Sequence, residues 1–361
     1  MATIRLKDIA HHAGVSVMTV SKALRDASDI SAETKTRIKL LAQQMGYVPD
    51  SMAQSLRNRR TKLLGLIIPS IANPLFARTL LAIEERAHQW GYEVMFAQTL
   101  NIAEREDSCI LRLLSRKIDG LLIAPVYRPA QEARAYQELF ARGTPTVILG
   151  LPAPFCRRFT YVAGDDEAGS HEATLHLLQL GHRRIACLAG PTLAPWARER
   201  LQGYRRALRE ADVEADDRLV FQSGNTIEDG ASAALQMLQE TCNATAIVAA
   251  SDLVAIGCAE TYLNQGAKIP SDFSIVGYGN ILTSEHFRVP LTTIRQPKHR
   301  LGVAAMDALL QLIQGEKPEP KRLSATLVVR ASTAPPQPAS VPPAPRPPGS
   351  CPGTAPPRPT Q

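Results

Sequence analysis

The sequence lacks the cysteine and histidine patterns of metal and redox sites. Its six cysteines are scattered along the chain, and no two have the C-x-x-C spacing of a zinc ribbon or a redox motif. His11 and His12 are adjacent rather than four residues apart, so they do not form a helical metal-binding pair. We therefore expect no metal site and no cofactor.

Long hydrophobic runs are also missing. The first residues, MATIRLKDIAHHAG, contain no apolar export signal, and no run approaches the length of a membrane span. A cytoplasmic chain with reduced thiols and no membrane contact is therefore expected. A G-x-x-x-x-G-K-S/T phosphate loop is absent as well, and no nucleophile is paired with a base, so the sequence does not favour an enzyme.

Positive charge is concentrated near the N-terminus. Residues 1–62 hold eleven Lys or Arg against five acids, which places six of the chain's seven net positive charges there. The remaining residues are almost neutral. A domain that binds the phosphates of DNA needs an excess of positive charge, whereas a domain that does not contact DNA needs none. The distribution of charge therefore favours DNA binding by the N-terminal residues.

The stretch LKDIAHHAGVSVMTVSKAL, residues 6–24, has the pattern of a helix-turn-helix. Apolar residues recur at helical spacing before Gly14, which suits a reversal between two short helices, and Ser16 follows as an N-cap. The second helix would present Val17, Met18, Thr19, Ser21 and Lys22 outward. Such small apolar, hydroxyl and ammonium groups suit the major groove. An ordinary helical hairpin on a larger domain is the alternative.

A third helix completes this N-terminal headpiece. Ser31 is its predicted N-cap, and it runs to about Met45 before Gly46 ends it. Its predicted apolar side consists of Ile38, Leu40, Leu41 and Met45. Residues 1–48 are therefore assigned to the headpiece. Residues 49–62, which have too few apolar residues for a stable isolated helix, are assigned to a hinge helix and linker.

From Leu63 onward, short apolar runs alternate with helix-sized segments. The runs are LLGLII, EVMFAQ, GLLIAP, PTVILG, RIACLAG, AIVAAS and SIVGYG. Such a pattern is typical of parallel strands in βαβ units that are covered on both faces. The predicted fold class is α/β, with an all-α headpiece before a doubly wound body that is large enough for two sheets.

The chain resembles the LacI/GalR family of repressors from about residue 3 to residue 330. The resemblance is carried by Asp8, Ala10, AGVS at 13–16, TVS at 19–21, Leu24, Tyr47 and Pro49. It implies a regulator that binds a pseudo-palindromic operator in double-stranded DNA and a small-molecule effector, a sugar or sugar derivative, between two periplasmic-binding-protein-like lobes. A sugar-binding protein without regulatory DNA binding is the alternative. Whether effector would release or strengthen repression stays open.

The resemblance also implies domain bounds. The body would span residues 63–331, with lobe 1 at about 63–161 and 292–322 and lobe 2 at about 162–291 and 323–331.

The family pattern assigns DNA contacts to the headpiece and hinge. It implies base reading by Val17, Met18 and Lys22, and wedging of Leu56 into the minor groove, which bends the DNA. Asp50 departs from the family, which usually has Asn there. The full predicted set is Leu6, Ser16, Val17, Met18, Thr19, Ser21, Lys22, Ala53, Gln54 and Leu56.

Predicted effector contacts follow strand ends, where ligands of open α/β sheets gather. Arg200 is the strongest candidate, because a guanidinium has five fixed donors and stays charged in a cleft. A salt bridge to Asp165 or Asp166 is its alternative role, and core packing is the alternative for Phe76. The full set is Asn73, Leu75, Phe76, Asp166, Arg200, Phe221, Ser251, Asp252 and Gly279.

Gly279 departs from the family pattern. The family has an acid here, in SIVGYDD or SIVGFDN, whereas this chain reads SIVGYGN. Without a side chain, residue 279 cannot accept a hydrogen bond from a ligand hydroxyl. This favours an acidic sugar or sugar phosphate, or recognition through Asp252 and Asp166 instead.

The C-terminal segment differs in composition from the rest. From about Ala331 to Gln361 it holds 12 of the chain's 27 prolines, which predicts an extended, solvated tail over residues 332–361. An unselected extension and a partner-binding segment both fit this composition. Some members of the family that the chain resembles tetramerise through leucine heptads, which this tail lacks, so the resemblance implies a homodimer.

Overall fold

A computed structural model describes residues 4–47 and 60–337. The chain divides into two compact units, one that ends at Lys62 and one that begins at Leu63. The predicted hinge residues Asp50, Ala53, Gln54 and Leu56 lie outside the described residues.

The first unit contains the three predicted headpiece helices, α1 (Leu6–Ala13), α2 (Val17–Ala23) and α3 (Ala32–Gln44). Gly14 ends α1 with a φ of +63°. Ser16 and Ser31 cap α2 and α3, and each hydroxyl accepts a backbone N–H three residues later. The small core they enclose consists of Ile9, Ala10, Val20, Ala23, Ile38 and Ala42.

One predicted core residue of the headpiece is wrong. Leu40 is 54% exposed, whereas Ala42 is buried beside Ile38. Residues four apart share a helix face, and a residue two positions on lies about 200° around the axis. Leu40 therefore points away from the side that α1 and α2 cover.

The second unit contains two six-stranded sheets. The first has the order β11-β5-β4-β3-β1-β2 and the second has the order β12-β10-β9-β8-β6-β7. All pairs are parallel except β10 with β12. The strands are β1 (Leu63–Ile68), β2 (Glu93–Gln98), β3 (Gly120–Ile123), β4 (Thr146–Leu149), β5 (Thr160–Gly164), β6 (Ile185–Leu188), β7 (Val220–Phe221), β8 (Ala246–Ala249), β9 (Ser274–Gly279), β10 (Thr292–Arg295), β11 (Lys321–Leu323) and β12 (Thr326–Val328).

Helices cover both faces of each sheet, as the buried apolar runs require. Separate apolar clusters lie on the two sides of the first sheet and on the two sides of the second. The helices are α4 (Pro74–Gln89), α5 (Ala103–Ser115), α6 (Arg134–Ala141), α7 (Asp166–Gln179), α8 (Pro195–Glu210), α9 (Ile227–Gln239), α10 (Asp252–Asn264), α11 (Leu282–His286) and α12 (Lys298–Ile313). The predicted fold class is confirmed.

The strand pairing corrects the predicted lobe bounds. The resemblance implies that residues 292–295 belong to lobe 1, but β10 pairs with β9 and β12 in the second sheet. It implies that residues 162–164 belong to lobe 2, but they are part of β5, which pairs with β4 and β11 in the first sheet. We call the first sheet with α4–α6 and α12 the first lobe, and the second sheet with α7–α11 the second lobe.

The predicted start of the solvated tail is also corrected. Ser332 is fully buried, and its backbone carbonyl accepts a hydrogen bond from the N–H of Ile275 on β9. Ala334 is hydrogen-bonded to Ser274 through both its N–H and its carbonyl. Residues 332–334 are therefore part of the second lobe. Their polar groups pair with the first residues of β9, which composition alone does not reveal.

Within the described ranges, no helix is both long enough and apolar enough to cross a membrane.

Candidate DNA-binding face and effector cleft

The outer face of α2 carries the predicted base-reading residues. Val17 is 46% exposed and Met18 is 56% exposed, so both apolar side chains are available to a partner. Lys22 lies one helical turn beyond Met18. Leu6, by contrast, packs against the headpiece core.

Two hydroxyl groups of this face, those of Ser16 and Thr19, already have partners. The Ser16 hydroxyl accepts from the Thr19 backbone N–H at 3.1 Å and lies 2.9 Å from the Thr19 hydroxyl. Arg25 donates from Nε to the Ser21 carbonyl at 2.8 Å. The hydroxyl of Ser16 thus fixes the start of α2, and that of Thr19 lies beside it.

Lys22 forms an ion pair with Asp29 in the connection between α2 and α3. Both side chains are partly exposed, and the hydrogen bond from Lys22 holds the pKa of Asp29 below its usual value. The ammonium group predicted to reach guanine is therefore occupied by a carboxylate of the same headpiece.

Arg200 is the centre of a buried polar cluster at the carboxyl ends of β6, β8 and β9. Its Nε and Nη2 donate to one carboxylate oxygen of Asp166 at 2.9 and 2.6 Å, and its Nη1 donates to the Ala250 carbonyl. Arg200 is 8% exposed and Asp166 is 5% exposed. The salt bridge that the sequence leaves open as an alternative is present.

A glycine on α8 allows this pairing. A Cβ at Gly203 would lie 2.2 Å from the carbonyl oxygen of Glu167 on α7. Only glycine therefore lets α8 approach α7 closely at this point. The approach brings Arg200, one turn earlier on α8, to Asp166 at the start of α7, where the helix dipole also favours a carboxylate.

Two aromatic rings enclose the Arg200 guanidinium. Its carbon lies 3.5 Å from the ring centre of Tyr278 and 4.6 Å from that of Trp196. Burial raises the pKa of the Tyr278 hydroxyl well above its ordinary value, and the charge on Asp166 adds to the shift. The cavity that remains here is about 10 Å³, which is room for about one water molecule. A ligand at Arg200 would have to displace one of these side chains.

Asp252 anchors the second polar cluster. Its carboxylate accepts from the Thr293 hydroxyl at 2.5 Å and from the Ile281 N–H at 2.8 Å, and burial raises its pKa. A Cβ at Gly277 would lie 2.3 Å from this carboxylate. Both oxygens therefore hold the end of β9 against β10.

Lys298 extends this cluster to the first lobe. It is the first residue of α12, and its ammonium donates to the carbonyls of Gly279 at 2.5 Å and Asn280 at 2.7 Å. Burial lowers the pKa of Lys298 to about 8, although nearby Asp252 opposes the shift. Gly279 has a φ of +136°, which side-chain-bearing residues rarely adopt. Residue 279 thus has no side chain to offer a ligand, and its backbone carbonyl is already bound by a lysine.

The first lobe contributes Tyr127, in the loop after β3. Its hydroxyl donates to the Leu151 carbonyl at 2.9 Å. Burial raises the pKa of Tyr127, and the charges of Cys156 and Asp166 add to the shift.

Glu106 holds that loop in place. It is fully buried and accepts from the Val126 N–H at 2.7 Å and the Tyr136 hydroxyl at 3.0 Å. Burial raises the pKa of Glu106 to about 7.

A second polar link joins the lobes near Arg200. Arg322, on β11 of the first sheet, donates to Glu199 of α8 at 2.5 Å and to Asp165 at 3.3 Å. Glu199 directly precedes Arg200, so a displacement of Arg200 would be transmitted to this link.

The other predicted effector residues are placed less directly. Asn73 caps α4, its side chain accepting from the Leu75 N–H, and Ser251 caps α10 in the same way through the Val254 N–H. Phe76 packs against the first-lobe core, and Phe221 is 3% exposed within the second-lobe core. Within the described part of the chain, none of these side chains is hydrogen-bonded or ion-paired to Arg200, so their ligand roles stay predictions.

Sequence reasoning missed Trp196, Tyr278 and Lys298 as members of the cleft. Trp196 is one of only two tryptophans and lies one helical turn before Arg200. Both facts can be read from the sequence and could have placed Trp196 beside Arg200. Tyr278 and Lys298 give no such signal, because a tyrosine inside an apolar strand and a lysine at a helix start are ordinary features.

Two family profiles match the chain. "Bacterial regulatory proteins, lacI family" matches residues 5–50, and "Periplasmic binding protein-like domain" matches residues 174–333. Over 330 residues, the chain is 31% identical to the HTH-type transcriptional regulator DegA of Bacillus subtilis (strain 168), covering 91% of this chain and 97% of the relative. It is also 31% identical to the HTH-type transcriptional repressor CytR of Escherichia coli (strain K12), covering 91% and 96%.

Solved structures with the same fold include two ligand complexes. The Lac repressor dimer bound to operator and the anti-inducer ONPF matches with a TM-score of 0.82 and 29% identity, covering 92% of this chain and all of the other. The transcriptional regulator CelR in complex with cellobiose matches with a TM-score of 0.70 and 30% identity, covering 91% and 99%.

Proposed function

Because the chain belongs to the LacI family of bacterial regulatory proteins, it is a DNA-binding transcriptional regulator, and we propose that it is a repressor controlled by a small metabolite. One observation carries the effector proposal. Arg200 and Asp166 form a buried ion pair between aromatic rings at the carboxyl ends of the strands, where a ligand of this fold would bind. The position of both side chains at these strand ends supports their predicted effector roles, with the ion pair as the arrangement that a ligand would have to open.

The proposed switch couples this cleft to the headpiece through the relative orientation of the lobes. A ligand that takes up the Arg200 donors would change the contacts of α8, to which Arg322 of the first lobe is joined through Glu199. Lys298, the first residue of α12 in the first lobe, makes a second link to the second lobe through the Gly279 carbonyl. A ligand with different affinity for two lobe arrangements shifts their populations, and thereby the operator affinity.

The proposed effector is a sugar derivative with an acidic group. Trp196 offers a flat apolar face for a sugar ring, and Arg200 can bind adjacent hydroxyls or a carboxylate. The absence of an acid at Gly279 and the presence of Lys298 beside it make this end of the cleft less negative. The structural neighbour CelR forms a complex with cellobiose, which supports a ligand of the sugar class.

We propose a homodimer that acts in the cytoplasm, where it can reach DNA. Strand β2 lies at the edge of the first sheet and exposes Phe96, and the segment after it exposes Leu100 and Ile102. Helix α4, which packs beside β2, exposes Leu81. This apolar edge would be covered by the second copy, and the two headpieces would then read a pseudo-palindromic operator. A Lac repressor neighbour is described as a dimer.

Selection of bound duplexes from a random pool tests the proposed function. We expect enrichment of a pseudo-palindromic sequence. We also expect that one member of a panel of neutral sugars, sugar acids and sugar phosphates changes the yield of bound DNA. Removing residues 1–62 should abolish enrichment and leave ligand binding intact. No enrichment with the full chain would contradict regulation through DNA and favour a sugar-binding protein.

The Lys22–Asp29 pair leads to a separate prediction. In Asp29→Asn, Lys22 no longer has to break an ion pair with a carboxylate before it contacts DNA. Binding to a random-sequence duplex should therefore tighten by about twofold to fivefold. The dependence of log K on log salt should also steepen by about one unit, because one more cation is available for phosphate. Both are measured by fluorescence anisotropy over a salt series.

Asp26→Asn is the matched control. Asp26 pairs with Lys39 of α3 at 2.6 Å, and its φ of +57° suits asparagine. The Asp26→Asn substitution removes the same charge as Asp29→Asn but does not release Lys22. In a Lys22→Ala background, Asp29→Asn should have no effect. Equal effects of the two Asp→Asn changes would show that net charge alone is responsible.

A further inference from the structure

A row of cations lies along the amino-terminal edge of the first sheet. The loops that directly precede the adjacent strands β3, β4 and β5 contain only one acid, Asp119. They contain five cations: Arg116, Lys117, Arg142, Arg157 and Arg158. Since neighbouring strands lie about 4.8 Å apart, these loops form a continuous row about 10 Å long.

The charge is specific to this edge. The equivalent loops before β6 to β10 in the second sheet carry five cations and six acids, so that edge has no positive excess. Residues 63–361 together carry only one net positive charge. The row is therefore a local accumulation on a balanced body.

Several of the cations are directed to solvent. Arg116 and Arg157 are exposed. Arg158 stacks on Phe140 at 4.9 Å, and Arg142 pairs with Glu138 at 2.6 Å. Within the row, Arg116 and Arg157 therefore provide the positive charge that is most available to a partner.

The same edge is where the chain enters the sheet from the headpiece. Strand β1 begins there at Leu63, and the N–H of Asp119, in the loop before β3, donates to the Leu63 carbonyl at 2.8 Å. Residues 48–62 connect this point to the DNA-binding helices. The basic edge therefore carries the chain connection to the headpiece, whereas the effector cleft lies at the opposite, carboxyl edge.

We propose that this row binds the phosphates of duplex DNA that flanks the operator. The inference rests on the proposed function, because it needs an operator to bring the flanks close. One strand of DNA carries a phosphate every 3.4 Å along the axis, so a row about 10 Å long faces about three phosphates. Contacts of this kind add affinity and salt dependence without reading sequence.

The test compares the full-length chain with Arg116→Gln/Arg157→Gln on selected operator duplexes of two lengths. With long flanks, the variant should bind about tenfold more weakly, and the slope of log K against log salt should be shallower by about two. With duplexes trimmed to the operator, its affinity should lie within about twofold of wild type.

Arg209→Gln/Arg218→Gln removes the same charge from exposed positions of the second lobe and should match wild type on both duplexes. Equal affinities of wild type and Arg116→Gln/Arg157→Gln on long duplexes would overturn the proposal, as would an equal loss on both lengths. Thermal melting shows whether the variants fold. Failure to select any operator would instead count against the proposed function, so the two failures are distinguishable.

Discussion

Arg200→Ala is expected to destabilise the second lobe by about 3–5 kcal/mol and to abolish the response to effector. Asp166 is 5% exposed, and Arg200 is its partner in the buried pair. Truncation would leave a buried carboxylate without a counter-ion and would remove the partner of the Ala250 carbonyl. It would also leave Tyr278 and Trp196 without the guanidinium that separates them.

Urea unfolding followed by tryptophan fluorescence measures this loss. Trp196 touches the guanidinium, whereas Trp90 is 46% exposed, so a Trp90→Phe background isolates the signal of the cleft. Effector response is measured as the change in operator affinity on adding the metabolite that the selection experiment identifies.

A paired apolar replacement separates folding from binding. Arg200→Met/Asp166→Leu removes both charges, and replacing a buried pair by apolar residues is often neutral. We expect it to recover most of the lost stability but none of the effector response. If the double variant still responded to effector, Arg200 and Asp166 would be structural residues and the proposed site would be wrong.

The cleft illustrates what the sequence could and could not predict. The ends of the predicted strands located the polar centre, because ligands of open α/β sheets gather at the carboxyl ends of the strands. Whether Arg200 pairs with Asp165 or Asp166 depends on the distance between α7 and α8, which is set by packing at Gly203. Lys298 could not be found, since its partners are backbone carbonyls about twenty residues earlier.

In the fold, too, the features set by local sequence patterns were predictable and those set by tertiary contacts were not. Long apolar runs such as LLGLII predict the central strands, whereas β10, β11 and β12 have three or four residues each and little periodicity. Assignment of β10 to the second sheet depends on its pairing with β9 and β12, which is a tertiary contact. The start of the C-terminal tail is mispredicted for a related reason. Its composition is that of a solvated segment, yet Ser332 is buried by its pairing with β9.

Truncation after Arg330 is expected to destabilise the second lobe by about 3–6 kcal/mol, because it removes partners from several buried polar groups. The Ser332 hydroxyl donates to the Ile275 carbonyl at 2.6 Å and accepts from the Thr292 N–H at 2.8 Å. The Ala334 carbonyl lies 2.9 Å from Nε2 of His182, which is almost fully buried. Differential scanning calorimetry of the full chain and the truncated chain measures the difference.

Truncation after Gln337 is the matched control, because it removes most of the prolines of the tail and keeps all of these contacts. Its stability should lie within about 0.5 kcal/mol of wild type. Ser332→Ala should lose about 1–3 kcal/mol, since it leaves the Thr292 N–H without its acceptor while the backbone pairing with Ile275 remains. If truncation after Arg330 were as stable as truncation after Gln337, water would replace these hydrogen bonds without loss. The second lobe would then end at β12, as its apolar core alone would allow.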